Sequence, residues 1–131
     1  MLQRINHIGI AVKDVEKAMK QWREVFGLET PPPHVEPDMK ICMVNLGGVL
    51  VELMEPIGTE GALAKSMEKR GEGLHHICYE VEDIYKAVDT LIEQGVPVVN
   101  KEPREGAEGK IIFLHPKATN GVLTEIVQVR K

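Results

Sequence analysis

Apolar and polar positions along this chain follow one pattern that is laid down twice. Near the N-terminus Ile8, Ile10 and Val12 alternate with His7, Gly9 and Ala11, the period of two that sends neighbours to opposite faces of a strand. The period then lengthens. Val15, Ala18, Met19, Trp22, Val25 and Phe26 fall at helical spacing, with Asp14 placed to cap the first turn and Gly27 to stop it. Later, Ile77, Tyr79 and Val81 alternate with His76, Cys78 and Glu80. A second helix follows there, with Asp83 as cap, Ile84, Ala87, Val88, Leu91 and Ile92 as the apolar stripe, and Gly95 as stop.

Strands are predicted after each helix. Lys40 to Leu46 and Val49 to Met54 are divided by Gly47-Gly48, a hairpin signal. In the second half the candidates are Val96 to Asn100, Ile111 to His115 and Val122 to Val129. Between the halves, Gly61 to Arg70 reads as a short amphipathic helix with Leu63 and Met67 inward. Pro31-Pro32-Pro33 and Pro56 mark loops or strand ends.

The repetition extends to individual residues. His7-Ile8 with Val12 and Asp14 matches His76-Ile77 with Val81 and Asp83, and Gly48-Val49-Leu50-Val51-Glu52-Leu53 matches Gly121-Val122-Leu123-Thr124-Glu125-Ile126. Two matches in the same order, differing in offset by one changed loop, indicate an internal duplication. The expected fold is a single α+β domain over residues 1–131. Its parts are a first βαβββ module at 1–57, a connecting segment with a short helix at 58–72, and a second βαβββ module at 73–131.

The duplication selects the chemistry. With the isoleucines and valines covering the helix, His7 and His76 face the other way, and Gly9 and Ala11 leave room beside them. Glu52 and Glu125 interrupt otherwise apolar strands, where a buried carboxylate costs several kcal/mol unless a cation or hydrogen-bond donors offset it. One strand histidine is usually structural and one strand glutamate usually solvated. Four such residues at matching places of a repeat instead suggest a mixed nitrogen and oxygen site for one divalent ion. Co²⁺ or Mn²⁺ suits it best, with Ni²⁺, Fe²⁺ and Zn²⁺ also compatible. His34 reads as solvated in a proline-rich loop, His75 should face away from His76, and His115 sits at a strand end.

Composition narrows the classes further. Aromatic residues make up 4% and the net charge is −4 without a basic stripe, which argues against nucleic-acid binding. No run approaches the roughly 20 apolar residues of a membrane span, and the first residues carry no apolar targeting core. Cys42 and Cys78 stand alone in apolar stretches and read as core thiols, so the expected location is a reducing cytoplasm.

The duplicated module with its His/Glu/His/Glu set resembles the vicinal oxygen chelate superfamily. Arg70-Gly71-Glu72-Gly73-Leu74-His75-His76-Ile77 and Phe113-Leu114-His115-Pro116-Lys117-Ala118-Thr119-Asn120-Gly121-Val122-Leu123-Thr124-Glu125 are similar to segments of its methylmalonyl-CoA epimerases. The resemblance implies a cupped sheet around the metal, a homodimer, methylmalonyl-CoA as substrate, and metal ligands at His7, Glu52, His76 and Glu125. It also implies interconversion of the (R) and (S) substrates by removing and returning the C2 proton through a metal-stabilised enolate. Glu125 is the first candidate for proton transfer. Some relatives carry a second acid on the strand that here reads Asp38-Met39-Lys40-Ile41-Cys42, and the register adopted puts Lys40 in its place. Two other readings compete: a glyoxalase I-type lactoylglutathione lyase, and a non-catalytic small-molecule-binding protein on the same scaffold. The approach to Glu125 and the presence of all four candidate ligands favour the epimerase.

Overall fold

Both long helices begin where an aspartate can satisfy free amides. In the computed structural model, which describes residues 1–131, α1 (Val15–Phe26) starts after Asp14, whose carboxylate accepts from the Lys17 amide. It ends on Gly27, held in the left-handed conformation at φ 67°. Helix α3 (Ile84–Glu93) starts after Asp83, which accepts from the Tyr85 and Lys86 amides. Helix α2 (Ala62–Arg70) has no side-chain cap and closes at Gly71. Helices this short are held by burying one apolar stripe more than by intrinsic propensity.

Eight strands complete the fold: β1 (Arg4–Ala11), β2 (His34–Val35), β3 (Met39–Leu46), β4 (Val49–Pro56), β5 (Gly73–Glu80), β6 (Arg104–Glu105), β7 (Gly109–Leu114) and β8 (Thr124–Val129). The chain divides into two units, Ile8–His75 and a second made of Met1–His7 with His76–Lys131, and the division passes through β1 and β5. His7 and His76 therefore fall in the same unit.

In the Ile8–His75 unit, β3 and β4 form an antiparallel hairpin, and β2 borders β3. One face packs on α1: Val15 and Met19 meet Val12, Cys42, Val44, Val51 and Leu53. The opposite face packs on α2, with Ala11, Ile41 and Met54 around Leu63, and Met39, Met43 and Met67 beside them.

In the other unit β5 runs parallel to β8, β8 antiparallel to β7, and β7 antiparallel to β6. Helix α3 covers one face, where Ile84, Ala87 and Val88 pack on Val81, Ile112, Leu114 and Ile126. The other face carries Cys78, Ile111 and Val127, with Phe113 packed against them.

One expected strand is not regular. Val96 to Asn100 makes a single bridge, Val98 to Leu114, instead of a ladder. Pro97 has no amide to donate, and the Asn100 side chain takes over the pairing. Its Oδ1 accepts from the Phe113 amide at 2.8 Å and its Nδ2 donates to the Ile111 carbonyl at 3.2 Å. The two-residue β6 forms further on. His34, expected in a loop, lies instead in the edge strand β2 and remains exposed.

Candidate metal and active site

Strand alternation puts His76 and Cys78 of β5, and Glu125 and Val127 of β8, on the face turned away from α3. His7 of β1 joins them. The Nε2 atoms of His7 and His76 lie 2.9 Å apart, with the ring planes at 88°. Glu125 Oε1 is 3.2 Å from His7 Nε2 and 3.1 Å from His76 Nε2. All three residues are buried. Three of the four expected ligands thus converge within one unit.

The donor set fits a divalent cation. Two ligand atoms about 2.1 Å from a shared ion stand about 3.0 Å apart at a right angle and about 3.4 Å apart at a tetrahedral angle. The observed spacings match three adjacent positions around one ion, and leave further positions for other ligands. Imidazole nitrogen with carboxylate oxygen is the donor chemistry of Co²⁺, Mn²⁺, Fe²⁺, Ni²⁺ and Zn²⁺. The tautomer agrees. His7 Nδ1 is 2.6 Å from Asn6 Oδ1, so Nδ1–H donates and the Nε2 lone pair turns toward His76 and Glu125.

Electrostatics point the same way. Burial on its own would raise the Glu125 carboxyl, but the His7 and His76 rings beside it outweigh burial and hold the group down at about 2. Cys78 is nearby, its sulfur grouped with donor atoms of His7 and Glu125 within 4.8 Å of one another. Burial pushes its thiol up to about 12, so it stands in the site as a neutral thiol.

Glu52 lies in the other unit, on β4. It is buried and shares a strand face with Met54, opposite to Val51 and Leu53, which pack toward α1. Lys40 is on the wrong face for the role expected of it. It shares its side of β3 with Cys42 and Val44 in the α1 layer, whereas Met43 is the residue paired with Glu52. Met39, Ile41 and Met43 occupy the α2 side, and none of them can transfer a proton.

His34 and His115 make contacts of their own outside this cluster. His34 pairs with Glu36 at 3.2 Å on the surface. His115 accepts from the Lys117 amide at 3.1 Å and caps the 3₁₀ turn Pro116–Thr119. Two residues escaped the sequence reading. Asn6 should face away from His7 by alternation, yet its side chain reaches back to the imidazole. Glu108 lies in the β6–β7 connection, with Oε1 3.4 Å from His7 Nδ1. Their only sequence signal is an asparagine in an apolar strand and an acid between glycines. Phe113 flanks the site, its ring 6.5 Å from that of His76, and the Arg104 guanidinium stacks 5.6 Å above it.

Residues 6–113 match the model of the glyoxalase/bleomycin resistance protein/dioxygenase superfamily, and the chain belongs to it. Its relatives within that group are specific. An ethylmalonyl-CoA/methylmalonyl-CoA epimerase of Cereibacter sphaeroides is 45% identical, the match covering 98% of this chain and all of that protein. The mitochondrial methylmalonyl-CoA epimerase of Bos taurus is 40% identical over 97% of this chain and 75% of its own length. A solved methylmalonyl-CoA epimerase in complex with methylmalonyl-CoA and NH4+ superposes with a TM-score of 0.89 at 36% identity, covering 98% of this chain and 96% of that one.

Proposed function

We propose that this chain is a metal-dependent epimerase that interconverts (R)- and (S)-methylmalonyl-CoA. The observation that carries the reading is the buried His7–His76–Glu125 cluster, in a chain similar over nearly its whole length to epimerases of this substrate. We assign the metal to His7, His76 and Glu125, with Glu52 as fourth ligand because β4 repeats in sequence the strand that carries Glu125.

Epimerisation requires the proton on C2, between a thioester and a carboxylate, to leave and another to arrive from the opposite side. A divalent ion at this site supplies Lewis-acid stabilisation of the negative charge that develops on the thioester oxygen. His7 and His76 contribute neutral nitrogens without adding negative charge near the reacting carbon. Glu125 is ionised at neutral pH and is assigned proton transfer on one side of C2. Ile111, Val127 and Phe113 supply an apolar flank that limits water. Lys40 is not assigned the second transfer, because its face of β3 is the α1 face.

The direct test is incubation of the Co²⁺-loaded protein with (S)-methylmalonyl-CoA in D₂O. Deuterium is expected at C2 together with the (R) isomer, and Glu125→Gln should slow both. Turnover of a hemithioacetal in place of methylmalonyl-CoA would transfer the assignment to a lyase. The same reading carries a cytoplasmic homodimer, testable by light scattering and fractionation. Two buried free thiols suit a reducing compartment, and no helix is long and apolar enough to cross a membrane.

A further inference from the structure

Asn6 is a buried polar residue on β1, 7% exposed, next to the buried His7. Its Oδ1 lies 2.6 Å from His7 Nδ1, a short contact between adjacent residues that strand alternation would ordinarily keep apart. Glu108 Oε1 stands 3.4 Å from the same nitrogen, too long to be the principal acceptor. An imidazole that donates from Nδ1 must present a lone pair at Nε2, and His7 Nε2 is the atom that meets His76 and Glu125.

We propose that Asn6 is a positioning residue that locks His7 in the Nδ1–H tautomer and fixes its ring so that Nε2 is ready to bind the cation. The inference rests on the reading of His7 as a metal ligand. Hydrogen-bond acceptors behind ligating histidines raise ligand basicity and set ring orientation, and losing one weakens metal binding about 10- to 100-fold. The duplication does not repeat the asparagine: the residue matching Asn6 is His75.

The test uses the full chain in three forms: wild type, Asn6→Leu and Asn6→Asp. Nitrogen-15 NMR of the metal-free protein reads the His7 tautomer, and competition with a chromophoric chelator reads Co²⁺ affinity. In wild type the proton is expected on Nδ1. Asn6→Leu should lose that preference and bind Co²⁺ about 10- to 100-fold more weakly. Asn6→Asp, which retains an acceptor oxygen, should recover the tautomer and most of the affinity. Wild-type affinity in a folded Asn6→Leu protein would overturn the proposal, as would a wild-type His7 protonated on Nε2. Failure of wild type to bind Co²⁺ while His7 is still held as Nδ1–H would refute the ligand reading and leave the tautomer lock standing.

Discussion

The Nε2 atoms of His7 and His76 face each other across 2.9 Å, with a carboxylate oxygen of Glu125 just over 3 Å from both. Lone pairs on two imidazoles and a carboxylate repel at this range unless a proton or a cation lies among them. A divalent ion resolves the conflict without protonating either ring. His7→Ala and His76→Ala should each abolish stoichiometric Co²⁺ binding, read by elemental analysis after gel filtration, and each should lower epimerase activity by at least about 100-fold, in line with the loss of direct metal ligands exceeding that of their supports. Retention of one equivalent of metal by either variant would contradict the assignment.

Metal binding to the folded chain alone should also appear as stability. At a free ion concentration about 1,000 times Kd the gain is about 4 kcal/mol. For a domain of this size that corresponds to a rise in Tm of roughly 10–20 °C. Differential scanning calorimetry with Co²⁺ and then with excess EDTA measures it. The gain should shrink in acid, because metal ligands must be deprotonated to bind a cation. A Tm that is indifferent to metal would count against a built site.

Glu125 gives the metal-free protein a pH signature of its own. Its carboxyl is held at about 2 when folded, against an ordinary 4.5, burial being outweighed by the two imidazole rings beside it. Since the folded value is the lower one, the carboxylate stabilises the native state above about pH 4.5. That contribution drains away as pH falls toward about 2. Urea denaturation of the chelator-treated protein between these limits should therefore fall off more steeply for wild type than for Glu125→Gln. Parallel curves would mean that the His–Glu contacts contribute no coupling.

Much of this architecture was legible in the residues. Asp14 and Asp83 do cap the helices, and period-two spacing does turn His7 and His76 away from the apolar isoleucines. What failed were features decided by a single side chain. Asn100 extends the pairing with its side-chain amide past the backbone bonds of Pro97 and Val99, which periodicity cannot detect. Lys40 lies on the face of Cys42 and Val44, and motif matching does not fix a strand's face, which one residue of register exchanges. Asn6 escaped because its contact with His7 defies the alternation that located His7.

Lys40 therefore supplies a clean negative. It lies on the α1 side of β3, level with Cys42 and Val44, so a change there should leave the chemistry intact. Lys40→Met is expected to keep turnover within about twofold of wild type and to shift stability by no more than about 0.5 kcal/mol, as for a partly exposed position. Turnover slowed by two orders of magnitude, the least that loss of a proton-transfer group ordinarily costs, would put the lysine back in the reaction if metal content were unchanged.

Gly109 makes the sharpest structural prediction. It opens β7, and a side-chain carbon built there would fall 2.0 Å from the Gln128 carbonyl oxygen and 3.0 Å from the Arg130 amide. Both obstacles are backbone of the paired strand end, so no rotamer change relieves them. The neighbouring connection is also pinned: the Arg130 guanidinium donates to the Gly106 and Ala107 carbonyls, and the Arg130 amide to the Glu108 carbonyl. Gly109→Ala must part β7 from β8 or displace the stretch that brings Glu108 to His7. A loss of about 1–3 kcal/mol is expected from urea denaturation, the range of overpacked sites. Because Phe113 and Glu125 are cross-strand partners further along the same ladder, metal affinity should fall as well. A variant that keeps wild-type stability would show that the two strand ends are less closely apposed than 2.0 Å implies.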